Sequence, residues 1–240
     1  MNDNGKAFML KKTTQKQAKK MTIESSKTLG GIGALLMFIG VFPYINYFGI
    51  IELIGAILIL VALHGFAGIY KESGIFNNAL YGIIAGIIGV VAAAGIGIAI
   101  VLTSLKDFIL KIYPSWNGSW SSLQSLSGTT PNTANINFSD IAPFIAAIIV
   151  IFIILWVFAI IAAFLLRRSL RELSTKSGTG LFSTTGLLLL IGAVLIIAFG
   201  LGVLLMWIAT LVLAIAFFTM KPHEPQPAST MTSPPPPTPV

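Results

Sequence analysis

The sequence predicts an all-α fold, a polytopic transmembrane bundle of about six helices, from its composition, its long uncharged runs and the one-sided placement of its cations. Of 240 residues only 10% are charged and 55% are hydrophobic, and the mean hydropathy is +0.90. A soluble domain is about one quarter charged. Residues 141–166 and 181–220 contain no charge at all. A helix rises about 1.5 Å per residue, so about 20 apolar residues cross a hydrocarbon core, and 181–220 is long enough for two crossings. Hydrocarbon offers no partner to a bare N–H or C=O, so each crossing must be helical or part of a closed barrel. A barrel strand alternates apolar and polar residues, whereas 145–155 is continuously apolar.

Taken in order, the chain opens with a basic polar leader, 1–27, followed by a transmembrane domain over 28–220. Helices are predicted near 28–44, 48–70, 76–105, 141–166, 181–199 and 203–220, with a large outer loop over 106–140. Gly200-Leu201-Gly202 is the predicted reversal between the last two helices, because glycine accepts the backbone angles of a tight turn. The span from 76 to 105 is longer than a bilayer core requires, so it should tilt or protrude, and Pro114 sets the limit of the helix. The first helix lacks a small-residue cleavage pattern after Pro43 and reads as a retained anchor. From 221 to 240 the tail is proline-rich, with Pro234 to Pro237 in succession. Proline cannot donate to a helix, so this end reads as a disordered, extended segment of a kind that docks in aromatic grooves.

Six crossings put both termini on one side, and the cations sort accordingly. The leader lysines (Lys6, Lys11, Lys12, Lys16, Lys19, Lys20 and Lys27), Lys71, the Arg167–Lys176 connection and Lys221 share that side. Of the 15 Lys and Arg, only Lys106 and Lys111 fall on the other. The positive-inside rule therefore places the N- and C-termini in the cytoplasm of a multi-pass plasma-membrane protein. The same placement accounts for the net charge of +7 without a nucleic-acid partner. The lysines of the leader also suit an anionic leaflet.

The outer loop has its own chemistry. Between Lys111 and Asp140 it carries no charge, and Ser, Thr, Asn and Gly dominate. Such a segment keeps its charge state in acid, where carboxylates would titrate. Asn117-Gly118-Ser119 and Asn137-Phe138-Ser139 are glycosylation acceptor patterns, which require exposure on the export side. The charge-derived orientation puts both there. Trp116 and Trp120 suit a membrane–water interface.

Inside a bilayer, helices associate through small residues that let backbones approach. Ala85, Gly89, Ala93 and Gly97 recur every four residues, with Gly82 and Gly86 on an adjacent stripe. Together they predict the central helix-packing seam. Gly30, Gly33, Ala34 and Gly40 provide a smaller one. Gly30-Gly31-Ile32-Gly33 lacks the preceding strand that a dinucleotide fingerprint requires.

An ionisable residue inside a span is a functional candidate by default. Glu52 is the candidate proton or ion site, although its place near a helix start also suits the helix dipole. His64 lies near the opposite end of the same helix, where an interfacial or hydrogen-bonded role is the simpler reading. Twelve residues separate the two, about 18 Å along the axis, too far to share a metal. The chain has no cysteine, hence no disulfide and no thiolate site. His64 and His223 are the only histidines, so no nucleophile has a base at usable spacing. No enzyme, metal or cofactor is expected.

Thr28-Leu29-Gly30-Gly31-Ile32-Gly33, the apolar hairpin after it, and Ile75-Phe76-Asn77-Asn78-Ala79-Leu80-Tyr81-Gly82 resemble an archaeal family of uncharacterised membrane proteins, domain of unknown function 996. The resemblance covers about residues 25 to 220. It implies an archaeal plasma-membrane setting and brings no activity and no catalytic residues. The expectation is therefore a non-enzymatic membrane protein, an accessory or scaffold component whose partners are the lipid bilayer and a membrane protein or a second copy. The alternative is a small transporter or channel working through Glu52.

Overall fold

The computed structural model describes residues 23–42, 49–134, 136–198 and 200–221. The leader before residue 23, Pro43, Asn46 and the proline-rich tail lie outside these. Among the described residues the regular structure is helical and contains no strand. α1 covers 23–40 and α2 Ile50–Tyr70. α3, Ser73–Ile100, runs through a π-helical turn, Val101–Leu105, into α4, Lys106–Ile112. Then come α5, Phe138–Ser177, α6, Gly180–Leu195, and α7, Leu201–Thr219. Four of these rods, Ile50–Tyr70, Ser73–Ile112, Phe138–Ser177 and Leu201–Thr219, are long and apolar enough to cross a membrane.

The third rod continues past 105 to Ile112, as the limit set by Pro114 implies, and its irregular turn holds Thr103, whose hydroxyl donates to the carbonyl of Ala99 at 2.9 Å. Side-chain back-bonding of this kind accompanies local widening of a helix. Other boundaries differ from those expected, and α1 starts within the expected leader. α5 does not stop at 166 but carries the basic segment 167–176 as helix. There Leu170 and Leu173 are buried while Arg168 and Arg171 are exposed, an amphipathic pattern that holds the helix together beyond its apolar stretch. The last reversal lies over 196–200. Gly200 takes the left-handed turn conformation at φ 75, and Gly202 sits inside α7.

The chain divides into two compact units. The first takes the described residues up to Phe76, Leu170–Thr184 and the described residues from Thr210 on. In it α1 and α2 run antiparallel with glycine at the crossing. A methyl on Gly33 would stand 2.6 Å from the Gly55 carbonyl oxygen, and one on Gly55 equally close to that of Gly33. Ser26 lies over Gly65, and Gly40 faces Glu52. Aromatic rings fill the rest. Phe217 stacks on Phe66 at 6.1 Å and meets Phe182 edge-on at 5.0 Å, and Gly30 leaves the space for its ring. Glu172 lies against Gly74 in the first turn of α3, where the positive end of the helix dipole favours a carboxylate. Glu72 pairs with Lys176 at 3.1 Å.

The second unit comprises Asn77–Ser169 and Thr185–Ala209. Here α3 and α5 are antiparallel, with Gly82 against the Ala162 carbonyl and Leu166, Gly89 against Phe158, and Gly97 against Ile151. The contacting glycines are spaced by seven and eight residues, the repeat of helices that cross at a shallow angle. Gly192 and Gly202 bring α6 and α7 together in the same way. The Trp156 indole N–H donates to the Ala193 carbonyl at 3.0 Å, in the last turn of α6, where helix carbonyls run out of intrahelical partners.

The α3–α5 crossing makes a specific prediction. A methyl at Gly89 would stand 2.5 Å from Phe158 Cβ, whereas at Gly86 nothing lies within 4 Å. Gly89→Leu should destabilise the protein by about 1–3 kcal/mol, and Gly86→Leu should stay within about 0.5 kcal/mol of the parent. Thermal unfolding of both variants in detergent checks the difference.

Candidate functional site

The expected packing residues distribute over α3 as follows. Gly82, Gly89 and Gly97 face α5, Ala93 is buried, Ala85 is half-buried, and Gly86 opens onto free space. The buried line continues towards the start of the helix at Ile75 and Ala79. It follows a seven-residue repeat, which a four-residue count of small side chains does not reveal.

Glu52 occupies the first turn of α2, half-buried, its side chain laid across Gly40 of α1. Gly49 precedes it in the left-handed conformation, φ 68. That residue type at a helix start is stabilised by the exposed N–H groups of the first turn. His64, near the other end of α2, is exposed, and its ring meets Phe76 edge-on at 4.9 Å. Among the described residues no group of three His, Cys, Asp or Glu is placed to hold a metal ion.

The most organised polar chemistry is in the connection between α4 and α5. Lys111, in the last turn of α4, donates to Asp140, in the first turn of α5. Each charge suits the dipole of its own helix. Asp140 also accepts the backbone N–H of Asn137 at 2.8 Å, the reciprocal half of a helix-start capping box. The Asn132 N–H donates to the Ile112 carbonyl at 2.9 Å. Phe108 and Phe144 meet edge-on at 5.4 Å beneath the pair. A cleft of about 250 Å³ lies here, lined by Ser104, Asp107, Lys111, Ser139 and Asp140 among others. The two charges bounding the neutral segment thus close it as a loop. The sequence signal available for this was Asn137 three residues before Asp140, a helix-start pattern; the pairing with Lys111 carried none.

Within the loop, Trp116 is 5% exposed and packs edge-on against Trp120 at 5.8 Å. Its indole N–H donates to Ser122 Oγ at 2.9 Å. The Ser122 hydroxyl in turn donates to Asn117 Oδ1 at 2.6 Å, which also accepts the Ser119 N–H at 2.9 Å. Gly118, at φ 76, supplies the turn. Asn117 and Asn137 are both exposed, Asn117 on this small folded knot and Asn137 at the start of α5.

The hydrogen bond from Lys111, together with the Asn137 N–H, holds the Asp140 carboxyl below its usual range. A group whose folded value is lowered stabilises the fold above its unfolded value and ceases to do so as pH falls through the folded one. The loop should therefore resist protease unchanged down to about pH 5 and open only below about pH 3.9. Asp140→Asn should open it at neutral pH, as measured by proteolysis of residues 112–137.

A family profile described as Protein of unknown function (DUF996) matches residues 51–211, from α2 into α7. A protein of the archaeon Methanocaldococcus jannaschii, described as uncharacterized, is 26% identical over 202 residues, covering 84% of this chain and 94% of its own length. No solved structure matches the chain. With the match spanning most of the helical region, and in agreement with the resemblance carried by its glycine-rich segments, the chain belongs to the DUF996 family.

Proposed function

We propose that the protein is a non-catalytic integral membrane component, an accessory or scaffold of the plasma membrane, which crosses the bilayer six times with both termini in the cytoplasm. The observation that carries this reading is the exposure of large apolar side chains on all sides of helices whose inner contacts are already made. Val91 is 65% exposed and Ile148 66% exposed on the two helices joined by the Gly89 crossing. Water penalises such a surface by about 25 cal/mol per Å², and lipid does not. The asymmetry of Lys and Arg supports the orientation. The outer loop then faces the exterior, where Asn117 and Asn137 are accessible as glycosylation acceptors.

A scaffold reading is favoured by the inner seams, which are occupied mainly by glycine, alanine and aromatic rings, with Ser26, Ser169, Ser177 and Thr185 the buried polar side chains among the described residues. A transport pathway instead needs buried polar groups along a spanning route. Glu52, at a helix start beside Gly40, is the ionisable residue on which the transporter alternative depends.

The absence of cysteine makes topology directly testable. A membrane-impermeant maleimide should label Ser121→Cys on intact cells and Thr175→Cys only after permeabilisation. Purification in mild detergent should recover a membrane partner or a second copy. A pH-dependent flux in proteoliposomes that Glu52→Gln abolishes would replace this proposal with the transporter.

A further inference from the structure

Within the first unit, α1 and α2 diverge from their glycine crossing and leave an open groove of about 460 Å³. Its floor is backbone, because Gly65 and Gly68 present no side chain there. Its inner walls are Leu29 and Val61, about one helical turn towards its mouth stand Ser25, Ser26 and His64, and Ile69 lies beyond them on α2. The contact with Phe76 fixes the orientation of the His64 ring, and Ser26 is 7% exposed, seated on Gly65. Lys71, three residues beyond Gly68, caps the end of α2 in the left-handed conformation, φ 55, and is exposed. The nearby carboxylates are already engaged, Glu24 with Lys27 at 3.5 Å and Glu72 with Lys176 at 3.1 Å.

We propose that this groove is a binding site for one anionic phospholipid. An acyl chain lies along Leu29 and Val61, and the headgroup phosphate stands at the level of Ser25, His64 and Lys71. The polarity gradient fits that occupant. The inner part offers only apolar contact, whereas the polar side chains that line the upper level, Ser25, Ser26 and His64, can each donate a hydrogen bond, and the Lys71 cation follows at the end of α2. Phosphate oxygens only accept. An ammonium near the surface of an anionic leaflet adds an attraction of long reach. The site rests on the membrane reading above, because lipid is then the medium that fills any groove open to the bundle exterior.

Gly68 supplies the test. Nothing lies within 4 Å of where its Cβ would stand, so Gly68→Leu fills the groove without disturbing a contact. The full chain is purified from membranes holding phosphatidylglycerol and phosphatidylcholine, and retained lipid is measured by native mass spectrometry. The parent should keep phosphatidylglycerol in preference. Gly68→Leu should keep about tenfold less at an unchanged unfolding temperature, and a His64→Ala, Lys71→Ala double variant should bind both lipids alike. Equal retention by parent and Gly68→Leu, or no preference in the parent, overturns the proposal. So does a rise in retained lipid when residues 1–21 are removed, since the basic leader would then be the natural occupant. Carbonate extraction of the same membranes separates the two levels: release into the wash defeats the membrane reading itself, whereas resistance without retained lipid defeats only the groove.

Discussion

Two helices surrounded by hydrocarbon gain nothing from hiding apolar side chains from each other, so their attachment depends on backbones coming within reach. In the proposed membrane setting that constraint governs the helix crossings. At Gly33 and Gly55 each helix presents a carbonyl where the other has no side chain, the same device recurs at Gly82 and between Gly192 and Gly202, and Gly89 makes room for the Phe158 side chain. Close approach of this kind gathers many weak dispersion terms and weak C–H to oxygen hydrogen bonds that larger residues would hold apart. The bulky side chains occupy what remains, as Phe66, Phe182 and Phe217 do around Gly30.

Several charged groups follow a second rule, which is that they are placed where a helix end already favours them. Glu52 and Asp140 occupy first turns and Lys111 a last turn, while Glu172 lies at the start of α3. Charges in these places stabilise the ends of apolar rods without entering their middles. The neutral loop between Lys111 and Asp140 gains its order from short hydrogen bonds among Trp116, Asn117, Ser119 and Ser122, none of which involves a group that titrates near neutrality.

Much of the helical architecture was legible because it depends on local quantities: the length of apolar runs, the helix-start residues and the glycines. What was not legible depends on partners. The basic segment after 166 looked like a loop because charge was read as the end of the membrane, yet the helix continues where Leu170 and Leu173 have something to cover. Gly202 looked like a turn residue, but its real constraint is the backbone of α6, and the turn conformation falls to Gly200. Lys111 and Asp140 are separated by most of a loop, so no spacing rule joins them. At the candidate sites, Glu52 was visible as a charge in an apolar run. The groove at Gly65 and Gly68 was not, because it is made by the side chains those residues lack.

α6 is the short member of the set, only 16 residues from Gly180 to Leu195, about 24 Å of rise where a bilayer core measures about 30 Å. If α6 crosses as proposed, its closing carbonyls fall below the headgroups, and the Trp156 indole serves them from the neighbouring helix. This arrangement ties the depth of the reversal to α5 instead of to water. In the proposed membrane setting, α6 would suit a thin patch of bilayer, and in a thicker membrane the lipids beside it would have to compress to meet it.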